Sequence, residues 1–225
     1  MTPQTNGEDV AEESVHEPVG ERESLSALKR FARVRPPVER CGLCALPLGE
    51  EHQHLLERTS RQIECACDAC AILFDRQEDG KYLRVPRRVR RLVGFRFTDL
   101  QWEQMMLPIN LAFFLRNADG KIVAIYPSPA GAIESALGLD DWDELVAGCR
   151  LLGSMEPEVE ALLVNRVGEP VYFVLPIDEC YRLVGLIRMK WRGLSGGTEV
   201  WAAVAGFLAD LQRKAGGDGG AEWLS

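Results

Sequence analysis

Two stretches of the chain alternate apolar runs with short polar turns, which is the pattern of β-hairpins. LAFFLRN (111–117) and KIVAIYP (121–127) flank one glycine-containing turn, and ALLVNR (161–166) and VYFVL (171–175) flank another. The four runs are almost continuously apolar, which favours an antiparallel sheet covered on both faces. Helices can cover one face. The cysteine-rich segment at 39–75, the remaining helices or a second copy of the protein can cover the other.

A short helix is expected to begin at Thr98. The Thr98 side chain can cap it, and Gln101 can return the hydrogen bond, as in a capping box. Phe97 and Trp102 are spaced as a hydrophobic staple.

Three longer helices are expected at 141–153, at 178–191 and from Thr198 onward, because apolar residues recur there at helical spacing. Acids open the segment 178–191 and bases close it, which suits the helix dipole. The apolar stripes consist of Trp142, Leu145, Val146, Cys149 and Leu152; of Cys180, Val184, Ile187 and Trp191; and of Val200, Val204, Phe207, Leu208 and Leu211. The expected fold class is α+β, with two hairpins packed against about four helices.

Composition divides the chain into five parts. Residues 1–24 hold seven acids against one arginine and few large apolar side chains, so 1–38 is expected to be a disordered acidic tail and linker. A four-cysteine module follows at 39–75, a basic linker at 76–91, the α+β domain at 92–214 and a flexible tail at 215–225. The first 24 residues account for six of the eight net negative charges, so the body is nearly neutral.

The start MTPQTNGEDV has neither the basic beginning nor the apolar core of a signal peptide. No apolar run approaches the roughly 18 residues of a membrane span. We therefore expect a cytoplasmic protein, in which clustered cysteines are metal ligands and not disulfides.

The strongest chemical pattern is a pair of Cys-x-x-Cys motifs separated by 22 residues. A two-residue gap lets both thiolates of a tight turn point at one ion, and two such turns complete a tetrahedron with metal–sulfur distances of about 2.3 Å for zinc. The predicted ligands are Cys41, Cys44, Cys67 and Cys70. Such a site is closed to substrate, and its pattern suits zinc or, alternatively, iron.

Three nearby residues leave the ligand set open. Cys65 can replace Cys67 in the second pair, and His52 and His54 lie between the two pairs. The histidines are two residues apart, so on a strand both face the same side. Each can be an ordinary hydrogen-bonded histidine or can replace a cysteine ligand.

No catalytic constellation is visible. Cys149 and Cys180 lie on apolar helical stripes, where a thiol acts as a small hydrophobic group. All three histidines, including His16, precede residue 55, so no Cys-His or Ser-His-Asp set is expected within the larger domain.

Six arginines without an acid run through LRVPRRVRRLVGFRF (83–97) and suggest a basic hinge or arm. They can bind phosphate, an acidic partner protein or the acidic tail, or they can be a solvated edge. A near-neutral body argues against nucleic-acid binding. The six are Arg84, Arg87, Arg88, Arg90, Arg91 and Arg96.

Several of these motifs together resemble an uncharacterised bacterial family, a domain of unknown function. They are CGLC at 41, HQHLL at 52, CACDAC at 65, YPSPAGAIES at 126, LLVNR at 162, PIDECYRLVGLIR at 176 and WRGLSGG at 191, and the resemblance covers about 39–212. Members of that family are often encoded beside NiFe-hydrogenase genes, so the resemblance implies an accessory role in hydrogenase assembly or electron transfer.

The expected function is that of a non-enzymatic metal-binding accessory protein. A zinc-ribbon-like four-cysteine module would serve recognition, and the α+β domain would dock on a protein partner. The alternatives are a rubredoxin-like iron electron carrier and a zinc-ribbon regulator that binds nucleic acid. A homodimer is compatible with the pattern.

Overall fold

The structure is a computed structural model that describes residues 38–75, 80–135, 142, 149–193 and 196–217. The chain divides into two compact units, Met1–Val38 and Glu39–Ser225. All helices and strands named here belong to the second unit. The expected acidic tail and most of the expected C-terminal tail lie outside the described residues.

A small antiparallel sheet occupies the cysteine-rich part of the chain. Its strands are β1 (Gln53–Glu57), β2 (Ile63–Ala66) and β3 (Tyr82–Arg84), in the order β2-β1-β3. Helix α1 (Asp68–Phe74) follows β2 directly. The β1–β2 hairpin therefore connects the two Cys-x-x-Cys motifs, and β3 follows the second motif.

A six-stranded sheet forms the centre of the larger part. Its strands are β4 (Arg90–Arg91), β5 (Leu111–Arg116), β6 (Ile122–Ser128), β7 (Gly131–Glu134), β8 (Glu160–Asn165) and β9 (Val171–Pro176). Their order is β4-β9-β8-β5-β6-β7, and all pairs are antiparallel. The β5–β6 and β8–β9 hairpins are those that the sequence predicts, and Gly120 supplies a positive φ of 79° in the first turn.

Four helices accompany this sheet: α2 (Asp99–Gln104), α3 (Arg150–Gly153), α4 (Ile177–Lys190) and α5 (Gly197–Gly217). The capping box of Thr98 and Gln101 is present at α2. Phe97 and Trp102 are buried in edge-to-face contact, which confirms the staple. Most of the expected helix 141–153 lies outside the described residues, which include only Trp142 and 149–153 of it.

Both faces of the six-stranded sheet are covered, as its apolar strands predict. On β5, Phe113 packs into one buried cluster with α4 and α5, whereas Phe114 packs into a second cluster with α2 and α3. Leu56 of β1 and the nearby Val85 and Val89 belong to the first cluster. The cysteine-rich part therefore shares a hydrophobic core with the sheet.

The described residues form a mixed α and β structure with two antiparallel sheets and five helices, four of which begin within 92–214. No helix in these residues is both long enough and apolar enough to cross a membrane.

Candidate metal centre

The first Cys-x-x-Cys motif lies in a tight loop. Residues Arg40 and Pro47 form an isolated bridge, and the N–H groups of Cys41 and Ala45 donate to Leu46 and Cys41 carbonyls at 2.9 and 2.8 Å. Ala45 has a φ of 60°, which lets the chain turn directly after Cys44. This loop holds both thiols on one side of the turn.

The second motif belongs to a helix start and not to a second loop of the same kind. Cys67 is the N-cap of α1, and its sulfur accepts the N–H of Cys70 at 3.5 Å. The sequence suggested two similar turns. The second pair instead lies at the start of a helix, where the Cys67 sulfur occupies the capping position that serine or aspartate usually takes.

The four sulfur atoms of Cys41, Cys44, Cys67 and Cys70 all lie within 4.8 Å of one another. Cys44 Sγ and Cys67 Sγ are 3.7 Å apart. Sulfurs held about 2.3 Å from one tetrahedral ion are about 3.8 Å apart, whereas a disulfide needs about 2.05 Å. Their arrangement therefore fits a metal ion and not a disulfide.

Backbone donors stabilise negative charge in this cluster. Burial would raise the pKa of Cys41, but the N–H groups of Cys67, Leu43 and Cys44 lower that pKa to about 6. Burial and hydrogen bonding with Cys67 raise the pKa of Cys70 to about 12. N–H groups that stabilise a free thiolate also stabilise one bound to a metal, so the donor set suits metal binding.

Cys65 lies outside this cluster and joins the two histidines. It faces His54 across the β1–β2 pair, and the ligand atoms of His52, His54 and Cys65 all lie within 4.8 Å of one another. His54 Nε2 and His52 Nε2 are 3.2 Å apart. The structure thus separates the seven candidate ligands into a set of four and a set of three.

His54 also reaches the larger part of the protein. Its Nδ1 lies 2.6 Å from Asp178 Oδ2, in the first turn of α4. His52 Nδ1 lies 3.0 Å from the Gly49 carbonyl and 3.7 Å from Glu39 Oε2. The sequence marked Asp178 only as a helix-start acid, and no local pattern relates it to a histidine 124 positions away.

A family model matches residues 40–215, a range that includes both cysteine pairs, both sheets and most of α5. The matching model is described as a family of unknown function, DUF5947. The chain belongs to DUF5947. No match to the chain was found among curated proteins or solved structures. The expected resemblance to an uncharacterised family is confirmed.

The other two cysteines of this DUF5947 protein are buried and belong to neither cluster. Cys180 is 1% exposed on α4, and burial raises its pKa far above that of an ordinary thiol. Cys149 is 4% exposed and precedes α3 with extended backbone. Both positions suit the role of small apolar side chains.

The arginine run of the DUF5947 protein is largely engaged in internal contacts. Arg88 and Arg90 both donate to the fully buried carboxylate of Glu160, at 3.0 and 2.8 Å. Arg88 also pairs with Glu156, and Arg87 pairs with Glu51. Guanidinium groups held this way are less available to phosphate than the sequence suggested.

Proposed function

We propose that this protein is a metal-binding accessory protein whose four cysteines hold one structural zinc ion. The 3.7 Å separation of Cys44 Sγ and Cys67 Sγ carries the proposal, because it matches the edge of a zinc–thiolate tetrahedron. Four thiolates complete the coordination of zinc and leave no position for substrate. The ion would join the loop at 40–47 to the start of α1.

Exposed apolar side chains support a docking role for the module. Leu46 in the loop and Ile72 and Leu73 on α1 are 54%, 70% and 64% exposed. A structural metal can hold such a surface in shape, because it fixes the loop at 40–47 against the start of α1. We infer that the module presents this surface to a protein partner, and the resemblance noted above suggests a hydrogenase-related one.

The zinc site is tested by metal analysis of protein purified without oxygen. We expect one equivalent of zinc at the four cysteines, lost in Cys67→Ser because a structural zinc ion needs all four ligands. Cys149→Ser is the matched control, since Cys149 is buried but lies outside the cluster. Retention of this equivalent in Cys67→Ser together with its loss in Cys65→Ser would show that the ligand set is wrong.

Iron is the second candidate ion, favoured by the exposure of Cys44. An exposed sulfur ligand gives electrons a short path to a redox partner, and four thiolates bind iron as well as zinc. The absorption spectrum of the same preparation after exposure to air separates the two ions, because oxidation converts a colourless ferrous thiolate site to the ferric form. A red ferric thiolate chromophore would support a rubredoxin-like electron carrier and contradict the structural zinc proposal, whereas zinc is colourless.

The docking role is tested with a charge on α1. Ile72→Asp should abolish partner capture and leave metal content unchanged, because the side chain is exposed and is not a ligand. Met189→Asp on α4 is the matched control, since Met189 is equally exposed at 70%. The measurement is the amount of a hydrogenase-related protein that each variant captures from native extract, with the captured protein identified by mass spectrometry. Equal capture by wild type and Ile72→Asp would contradict docking through α1.

A further inference from the structure

We propose that His52, His54 and Cys65 form a second metal site, which binds one divalent transition-metal ion of the zinc type and keeps one coordination position open to water. The three ligand atoms lie within 4.8 Å of one another, separate from the four-cysteine cluster. Two imidazoles and a thiolate are a ligand set that zinc accepts readily.

The hydrogen bonds of the two rings fix which nitrogen is available. His52 Nδ1 faces the Gly49 carbonyl at 3.0 Å, and a carbonyl can only accept, so this Nδ1 carries a proton. His54 Nδ1 faces Asp178 Oδ2 at 2.6 Å and donates in the same way. In each neutral ring the lone pair then lies on Nε2.

The two Nε2 atoms point toward each other across 3.2 Å. Two lone pairs at this distance repel unless a proton or a cation lies between them. Nitrogens bound about 2.05 Å from one tetrahedral zinc ion are about 3.3 Å apart, which is close to the observed separation. The pair is therefore arranged as two neighbouring ligands of one ion.

Asp178 completes the site as a positioning residue. Its Oδ1 accepts the N–H of Glu179 at 2.8 Å, which orients the carboxylate, and its Oδ2 holds His54 Nδ1. Metal-bound histidines usually donate their other N–H to a carboxylate or a carbonyl. His54 has the carboxylate of Asp178 as this partner, and His52 has the carbonyl of Gly49. This contact also ties the metal module to α4.

The surroundings favour a cation. The carboxylate of Glu39 lies 3.7 Å from His52 Nδ1, and Glu64 directly precedes Cys65 in the chain. These negative charges attract a metal ion, which displaces the proton of the Cys65 thiol when it binds.

The open position follows from the ligand count and the exposure. Among the residues that the structure describes, three side chains converge here. Zinc usually takes four ligands, and sites with three protein ligands hold water in the fourth position. The His54 side chain is 30% exposed and Cys65 is half-buried, so water can reach the ion. The four-cysteine site is closed by comparison.

Metal titration of the metal-free full chain under anaerobic conditions tests the proposal. We expect Zn²⁺, measured by competition with a chromophoric chelator, to bind at two equivalents, and His52→Ala to bind one. Cys149→Ser is the control and should bind two. A single equivalent in the wild type that His52→Ala retains, or two equivalents in both His52→Ala and Cys65→Ser, would overturn the second site.

The same variants separate this proposal from that of the four-cysteine site. If Cys67→Ser removes the only bound equivalent and His52→Ala removes none, the second site fails and the first stands. If His52→Ala and Cys65→Ser each remove one equivalent but Cys67→Ser removes none, the first fails and the second stands.

The role of Asp178 has its own readout. Asp178→Asn should weaken binding of the second equivalent by about 10-fold or more, because an amide orients the ring less strongly. The affinity of the four-cysteine site for its own ion is the internal reference and should not change. Equal weakening of both equivalents would indicate general destabilisation and overturn the positioning role.

Histidine NMR distinguishes a bound ion from a shared proton. In protein labelled with ¹⁵N at its three histidines, saturating Zn²⁺ should shift the Nε2 resonances of His52 and His54 and leave those of His16 unchanged. Unchanged resonances of His52 and His54 would show that a proton alone joins the two rings, and the second site would be withdrawn.

Discussion

At the residue scale, Glu160 is the most constrained charged side chain among the described residues. Its side chain has no exposed surface, and its carboxylate accepts hydrogen bonds from Arg88, Arg90 and the Glu156 N–H. The hydrogen bond from Arg88 to Glu160 raises the pKa of Arg88, while burial lowers the pKa of Arg90. A buried carboxylate of this kind is tolerable only while its partners remain.

Replacing Glu160 by Gln should destabilise the protein by about 3 kcal/mol, because the amide removes the carboxylate that neutralises the largely buried Arg90 guanidinium and leaves Arg88 with Glu156 alone. Urea denaturation measures the change. Asp210→Asn is the control, since the Asp210–Arg213 pair is largely exposed and its loss should cost less than about 0.5 kcal/mol. Equal effects of the two substitutions would contradict the buried ion-pair account.

At the scale of elements, the connection between α4 and α5 requires glycine at position 196. Gly196 has a φ of 86°, and a Cβ there would lie 2.8 Å from Val200 Cγ1 and 3.2 Å from the Trp191 ring. Val200 is fully buried and cannot move freely. The turn therefore requires glycine for its conformation and for the space around it.

Gly196→Ala should cost about 2 kcal/mol, from the left-handed backbone together with the contact with Val200. Gly206→Ala within α5 should instead stabilise by about 0.5–1 kcal/mol, because it meets nothing within 4 Å and alanine favours helix. Thermal and urea unfolding of the two variants should shift in opposite directions. A stabilising Gly196→Ala would contradict the observed turn.

At the scale of the whole molecule, the metal module and the six-stranded sheet contribute side chains to the same hydrophobic core. Leu56 and Val85 lie in the same buried cluster as Phe113 and the helices α4 and α5. His54 and Asp178 add a polar contact between the two parts. A shared core makes independent unfolding of the module unfavourable.

We therefore expect a single unfolding transition, and chelation of the metal should lower its midpoint for the whole chain because the metal binds only the folded state. Tryptophan fluorescence reports the larger part through Trp102, and thiolate–metal absorbance of the cobalt-substituted protein reports the module. The two signals should change at the same urea concentration. Loss of the metal signal well before the tryptophan signal would show that the module unfolds alone.

The arginine run leads to a second prediction for the whole molecule. Arg88 and Arg90 are committed to Glu160, so binding to duplex DNA at near-physiological salt should be weak. Each phosphate contact contributes a slope of about −0.9 in a plot of log affinity against log salt, and we expect a slope shallower than about −2.

An Arg91→Ala, Arg96→Ala double variant tests that slope without disturbing Glu160, since both arginines are exposed. It should bind DNA as the wild type does. Submicromolar affinity in the wild type, with a steep slope that flattens by about 2 in the variant, would instead support a nucleic-acid-binding regulator.

Local patterns determined much of this protein. The two hairpins, the capping box at Thr98 and the apolar stripe of α5 follow from residues close in the chain, whose periodicity and turn chemistry act over a few positions. The spacing of the two Cys-x-x-Cys motifs also predicted which four thiols lie together. The two-residue gap within each motif is enough to bring its two thiols to one side of a turn, so this part of the site depends only on residues close in the chain.

Contacts between distant segments were decided only by the tertiary structure. His54 meets Asp178 across 124 positions, and Arg88 meets Glu160 across 72. The grouping of Cys65 with the histidines and not with the other cysteines depends on the register of β1 against β2. Sequence patterns cannot specify such pairs, because strand register and helix docking are set by burial of the whole apolar surface and not by the polar residues carried with it.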